Sequence, residues 1–175
     1  MEKIKFDAKR SVSLFGSITN QSIGDLSAGM MKLYEEDKEK PIFLFINTSG
    51  GIASLAYGFY DTIKAFNVPL VTILFGKVSS SGLIIFLSAK SENRFITEHS
   101  LISPQKTKAD YNENVAEVNI EESRMVEKFL KQILADETMI KTETKFREFI
   151  GKNFISPEEC VELCIANYIE QLLKT

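Results

Sequence analysis

The 175-residue chain has no tryptophan, one histidine, two cysteines, four prolines and nine glycines, and each shortage removes a class of protein. Cys160 and Cys164 share one helical face in the sequence pattern and have no further cysteine, so a disulfide-stapled fold is excluded. The single histidine, His99, is remote from them, which leaves a zinc cluster short of ligands; core packing is their expected role, and no metal or cofactor is expected. The low proline and glycine content excludes collagen and low-complexity disorder. The most apolar stretches, 68–75 and 83–87, fall far short of the roughly 20 residues that cross a bilayer. Charge of neither sign dominates: 21 basic side chains face 24 acidic ones, and no long basic run exists, which argues against nucleic acid or an anionic membrane as partner. The N-terminus carries charges at Glu2, Lys3 and Lys5 where a secretory signal needs an apolar run, so a soluble, cytoplasmic protein is expected.

What is present is an ordinary core-forming composition, with 44% hydrophobic residues in a chain long enough to remove roughly 70% of its surface from water without staples. A single domain spanning 1–175 is expected. Val12 and Leu14 alternate with polar neighbours as a strand does, and Gly16 ends the run. Thr19 or Asn20 can cap a helix whose apolar face is Ile23, Leu26, Met30 and Leu33, closed by the charged run 35–40. The apolar run 42–46 reads as a strand buried on both faces and stops at Asn47-Thr48-Ser49-Gly50-Gly51. A helix with Leu55, Phe59 and Ile63 on one face follows and breaks before Pro69. The pattern then repeats as strand 70–75, glycine-bounded turn 76–82 and helix 83–89. Alternating strands and helices imply a mostly parallel sheet, whose ligands bind beyond the carboxyl ends of the strands, where both turns lie.

Residues 95–97 and 101–102 read as weaker strands, and 104–117 is polar with an extended pattern. From about Val118 the period becomes helical, and Met125, Val126, Phe129, Leu130 and Ile133 form a stripe that a second subunit is able to bury. Ser156-Pro157-Glu158-Glu159 has the capping-box form with proline at the first helical position, and a short helix to about Ile165 should follow.

The two turns carry the chemistry. Gly50-Gly51 leaves backbone N–H groups uncovered by side chains, able to face developing negative charge, although a glycine pair after a strand also serves as a plain tight turn. The turn Gly76-Lys77-Val78-Ser79-Ser80-Ser81-Gly82 sets three hydroxyls at a strand-to-helix junction, the geometry that presents a nucleophile; the alternative is that these serines only cap the next helix.

Together the turns resemble the hallmarks of the proteolytic subunit of Clp protease, the ClpP family: a strand ending in Asn-Ser-Pro-Gly-Gly and a later Gly-x-Ala-Ala-Ser-Met-Gly-Ala turn. Here they stand as Phe45-Ile46-Asn47-Thr48-Ser49-Gly50-Gly51 and Gly76-Lys77-Val78-Ser79-Ser80-Ser81-Gly82-Leu83. Phe59-Tyr60-Asp61-Thr62-Ile63 is similar to the family's Ile-Tyr-Asp-Thr-Met, and Phe154-Ile155-Ser156-Pro157-Glu158-Glu159 to its Phe-Leu-Ser-x-x-Glu, so the likeness runs from about Arg10 to Leu173. The resemblance implies an α/β fold, the ClpP/crotonase-like spiral of strand-turn-helix units with a protruding handle of strand plus long helix, here at 106–135.

Carried over by position, the resemblance makes Ser80 the nucleophile and assigns the oxyanion-hole N–H groups to Gly51 and Ser81. The rest of the triad does not transfer: Gln105 falls at the family's His position and Lys152 at its Asp position, with Gly151 and Asn153 as the neighbours a one-residue slip would offer. His99 precedes position 105 by six residues, about 20 Å of extended chain, whereas a base must sit roughly 3 Å from the serine hydroxyl. Glutamine takes no proton at neutral pH, which leaves Ser80 an unactivated hydroxyl. A lysine replaces the imidazole in other serine hydrolases when burial lowers its pKa, and Lys77, Lys106 and Lys152 are the candidates.

The reading that follows is a serine-peptidase-fold subunit with impaired catalysis, forming a homo-oligomeric ring or a mixed ring with other Clp proteolytic subunits in a regulatory or scaffold role. One alternative is an active Clp-type serine endopeptidase with Ser80 and an unusual base; another is a crotonase-like acyl-CoA-binding protein. The resemblance also implies a Clp ATPase as partner, against which stands the short segment before Ser11. The family's handle is glycine-rich, whereas 108–113 carries no glycine.

Overall fold

The structure, a computed structural model, describes residues 5–104 and 116–173. Its frame is a six-stranded sheet in which every pairing is parallel. Strand β1 (Ser11–Phe15) pairs with β2 (Ile42–Thr48), and β2 with β3 (Leu70–Ser79). The first half of β3 pairs with β4 (Arg94–Ile96) and its last residues with β5 (Leu101–Ser103), so two short strands share one long neighbour. The two-residue β6 (Asn167–Tyr168) closes the far edge against β4.

Between the first three strands run the expected helices. Thr19 caps α1 (Asn20–Glu36), accepting from the Ser22 N–H, and Ile23, Leu26 and Met30 are buried on its inner face. In α2 (Ala53–Ala65) the buried residues are Ala56, Phe59 and Ile63. The short α3 (Ser81–Phe86) is buried along its whole length. A parallel sheet wrapped by helices buries its strands on both faces, which is why β2 and β3 are almost continuous apolar runs. The main core lies between the sheet and these helices; a smaller cluster of Phe43, Val71, Ile73, Phe95 and Leu172 covers the other face.

Some boundaries differ from the sequence reading. The glycine-bounded segment expected as a turn from Gly76 is strand as far as Ser79, because Lys77, Val78 and Ser79 pair in register with β5. The helix expected over 83–89 begins at Ser81 and ends at Phe86. The sequence reading assigned nothing to α5 (Glu143–Gly151), although Thr142 caps it by accepting from the Lys145 N–H and Phe146, Phe149 and Ile150 have helical spacing. The capping box at Ser156 starts α6 (Pro157–Glu162), and a final short helix, α7 (Ile169–Leu173), follows β6.

The long helix α4 (Ala116–Glu137) is present. Its stripe divides: Ile133 is buried, Val126 and Leu130 are half-buried, and Met125 and Phe129 are each 43% exposed. Two bonds from α2 hold its C-terminal part down, the Tyr57 hydroxyl donating to the Val126 carbonyl at 2.6 Å and the Tyr60 hydroxyl to Glu137 Oε1 at 2.8 Å. Burial pushes the Tyr57 phenol above its ordinary pKa, so it remains a donor. Most of the expected handle's first part, 106–115, lies outside the described residues. Among the described residues no helix is long and apolar enough to cross a membrane.

Candidate active site

The two turns singled out in the sequence meet at the carboxyl ends of β2 and β3. Thr48, the last residue of β2, organises the first of them: its hydroxyl donates to the Gly16 carbonyl at 2.5 Å and accepts from the Gly50 N–H at 3.0 Å. Gly51 has a φ of 153° and is pressed against the loop after β1, where a Cβ would stand 2.3 Å from the Ile18 carbonyl oxygen. Only glycine fits that approach. Ile18 holds the turn from the same side, donating to the Gly50 carbonyl at 2.9 Å and accepting from the Ile52 N–H at 3.0 Å.

Ser80 stands between β3 and α3 with φ 49° and ψ −125°, a conformation an L-residue rarely adopts. Backbone strain of this kind costs of order 1–3 kcal/mol and persists where surrounding structure enforces it, commonly at functional turns. Here the Ser80 N–H donates to the Ser103 carbonyl at 3.3 Å and the Leu83 N–H returns to the Ser80 carbonyl at 3.0 Å. Ser80 occupies the N-cap position of α3, yet its hydroxyl makes no capping bond. The side chain is therefore not spent on the helix, contrary to the reading in which these serines serve only as caps.

Ser81 is 2% exposed and points back across the gap to the glycine turn. The Gly51 N–H donates to Ser81 Oγ at 2.9 Å, and the Ser81 hydroxyl donates to the Gly51 carbonyl at 3.1 Å. A Cβ on Gly50 would lie 3.1 Å from Ser80 Cβ, so the turns are in close contact. Gly51, thirty residues before Ser81 in sequence, thus shares one location with Ser80 and Ser81.

Beside Ser80 opens a cavity of about 120 Å³. Its walls are Ala53 and Tyr57 of α2, Ile84 of α3, Val126 and Leu130 of α4, and Phe146 and Ile150 of α5, with Pro104 after β5. An apolar side chain is what such walls select. The sequence reading missed the contributions of α2, α4 and α5, because they come from helices distant in sequence and carry no motif. Glu127 also lines the cavity, but Arg147 of α5 holds it at 2.5 Å.

Of the remaining predicted positions, Gln105 lies outside the described residues. It follows Ser103 by two residues, and Ser103 is the residue whose carbonyl receives the Ser80 N–H. The Ser103 hydroxyl donates to the Asn153 carbonyl at 3.0 Å, which brings the chain at 152–153 up to β5. Lys152 itself turns its ammonium to Glu159, and that cation holds the Glu159 carboxyl below the usual carboxylate range. Lys77 places Nζ over the Phe154 ring, 5.8 Å from its centre, and His99 is exposed in the turn between β4 and β5. Lys106 is outside the described residues.

A parallel sheet of strand-turn-helix units, with a strained serine after one strand and a glycine turn after its neighbour, defines an α/β fold whose site lies beyond the carboxyl ends of its strands. The family model described as Clp protease matches residues 3–171, and the chain belongs to that family. Among solved structures it is similar to ClpP1 from Listeria monocytogenes, with 22% identity, a TM-score of 0.76, and coverage of 91% of this chain and 89% of that one. It is also similar to a point mutant of the same Listeria protein, with 22% identity, a TM-score of 0.81, and coverage of 93% and 94%. At this identity the two structures establish the fold.

Proposed function

We propose that this chain is a Clp-type subunit whose serine-peptidase chemistry is impaired and which works as a ring-forming scaffold or regulatory subunit, alone or with active Clp proteolytic subunits. The observation that carries the reading concerns Lys152. It stands at the family's Asp position, has the wrong charge to orient an imidazole, and is engaged with Glu159. Gln105 at the His position removes the proton acceptor itself. Loss of a triad base typically removes several orders of magnitude of rate. Among the described residues, the carboxylate lining the cavity, Glu127, is paired with Arg147 at 2.5 Å.

In this reading Ser80 keeps its elbow, Gly51 and Ser81 keep backbone N–H groups near it, and the cavity keeps the capacity to hold an apolar side chain. Segment 106–135 is the handle, and the exposed Met125 and Phe129 on α4 are suited to burial against another subunit. A Clp ATPase remains a candidate partner of the assembled ring, and the cytoplasm its proposed location.

The strained backbone at Ser80 supports a second reading, an active endopeptidase with an unusual base, since strain of this kind is otherwise a cost without a return. In that mechanism the Ser80 Oγ attacks the peptide carbonyl, its proton passes to a lysine or to a group from a neighbouring subunit, and the Gly51 and Ser81 N–H groups receive the oxyanion. Fluorophosphonate labelling and cleavage of a small unstructured peptide by the purified chain, with Ser80→Ala as control, separate the two. Inertness together with a ring-sized native mass supports the scaffold. Efficient turnover abolished in Ser80→Ala overturns it.

A further inference from the structure

The Ser81 hydroxyl occupies the position that an incoming oxygen would need. We infer that Ser81 is an internal plug: its hydroxyl binds the Gly51 N–H as a carbonyl oxygen or oxyanion would, and must rotate away before any ligand oxygen is received there. The inference rests on the reading above, in which Gly51 belongs to the residual oxyanion site.

Three observations carry it. First, one hydroxyl answers both polar groups of a single residue, accepting from the Gly51 N–H at 2.9 Å and donating to the Gly51 carbonyl at 3.1 Å. Its single proton is spent on the carbonyl, so its oxygen faces the N–H as a pure acceptor, the role of the absent ligand. Secondly, Ser81 is 2% exposed, so bulk water hardly competes for either bond. Thirdly, the partner cannot step aside. Ile18 clamps both flanks of Gly51 through the Gly50 carbonyl and the Ile52 N–H, and a Cβ on Gly50 would already lie 2.9 Å from the Ser79 carbonyl oxygen. What is free to move is the Ser81 side chain, by one rotamer step. The family turn that this segment resembles carries methionine after the serine, a side chain with no hydroxyl to offer. A plug of this kind makes the Ser81 side chain a positioning group: its hydroxyl acts through Gly51, while the Ser81 backbone N–H keeps its own place in the residual oxyanion site.

The test uses the full chain and a peptidyl boronic acid with an apolar terminal side chain suited to the cavity. The reagent's trigonal boron forms a bond to Ser80 Oγ, the hydroxyl proton leaves to the buffer, and the resulting tetrahedral boronate places an oxygen at the Gly51 N–H. Isothermal titration and boron NMR compare wild type, Ser81→Ala, Ser81→Gly and Ser81→Thr, with Ser80→Ala as control. Losing a competing hydrogen bond at an oxyanion donor is expected to tighten boronate binding about tenfold in Ser81→Ala and Ser81→Gly. Ser81→Thr keeps the hydroxyl and stays near wild type. The Gly51 amide, followed by hydrogen exchange, loses protection in the two variants without a hydroxyl and regains it when boronate binds; a purely structural bond would show the loss without the recovery. Equal or weaker boronate binding in folded Ser81→Ala and Ser81→Gly overturns the inference, and so does the absence of binding in all forms. Efficient peptide turnover by wild type refutes impaired catalysis but leaves the variant-to-wild-type ratio, and so the plug, to be judged separately.

Discussion

Arg94 and Glu137 meet at the base of the long helix, where Arg94 Nη2 donates to the Glu137 main-chain carbonyl at 2.7 Å and lies 3.9 Å from its carboxylate. The Arg94 side chain is fully buried, and Glu137 also receives the Lys64 ammonium at 2.6 Å and the Tyr60 hydroxyl at 2.8 Å. Glu137→Ala strips the counter-charge from a buried cation, and a loss of about 3 kcal/mol in unfolding free energy is expected. Glu137→Ala combined with Arg94→Met recovers much of it, because the unpaired charge is then gone as well. Urea unfolding of the single and double variants measures both.

At Ser80 the backbone, rather than the hydroxyl, predicts a stability effect. Ser80→Gly and Ser80→Ala both remove the nucleophile candidate, but only glycine relaxes at φ 49° and ψ −125°. Ser80→Gly should be more stable than Ser80→Ala by about 1 kcal/mol, strain relief outweighing the entropy cost of glycine. Equal melting curves for the two would show the turn to be unstrained.

Gly82 tests how closely the two turns are fitted. In an ordinary helix Gly→Ala stabilises by up to about 1 kcal/mol. Here the added Cβ would stand 2.4 Å from Thr48 Cγ2, the side chain that also holds Gly50 through its hydroxyl. The clash should prevail, and Gly82→Ala is expected to destabilise by about 2 kcal/mol. Thermal unfolding gives the sign directly.

The two thiols should behave oppositely. Cys160 is fully buried on α6, and burial pushes its thiol up to about 12, whereas Cys164 is exposed. A thiol reagent should therefore titrate one equivalent rapidly in the native protein and two after denaturation. Because the native state keeps Cys160 protonated where the unfolded chain does not, its stabilising contribution is complete below the unfolded value of 9.0 and is lost as pH rises toward 12. Cys160→Ala should flatten that alkaline decline, which denaturant melts at pH 8 to 11 would register.

Much of the fold is legible in the chain because its signals are local. The apolar runs of β2 and β3, the Thr19 cap, the Ser156 capping box and the faces of α1 and α2 each follow from residues within a turn or two of one another. Where pairing with a distant partner decides, the reading slips. Nothing near Lys77, Val78 and Ser79 announces that β5 will extend β3 through them, and α5, despite its own cap and apolar spacing, is short enough to pass for loop.

For the site, the sequence by itself determined which groups are on hand: the Gly50-Gly51 pair, the serines at 79–81, a glutamine at 105 and a lysine at 152, and with them family membership and the expectation of a missing base. Only the tertiary structure decided what these groups do to each other. It set Ser81 on the Gly51 N–H, turned Lys152 to Glu159, and built the cavity from helices with no motif of their own. The physical reason is that residue type fixes which bonds a side chain is able to make, while the competition among partners brought together by folding fixes which one it does make.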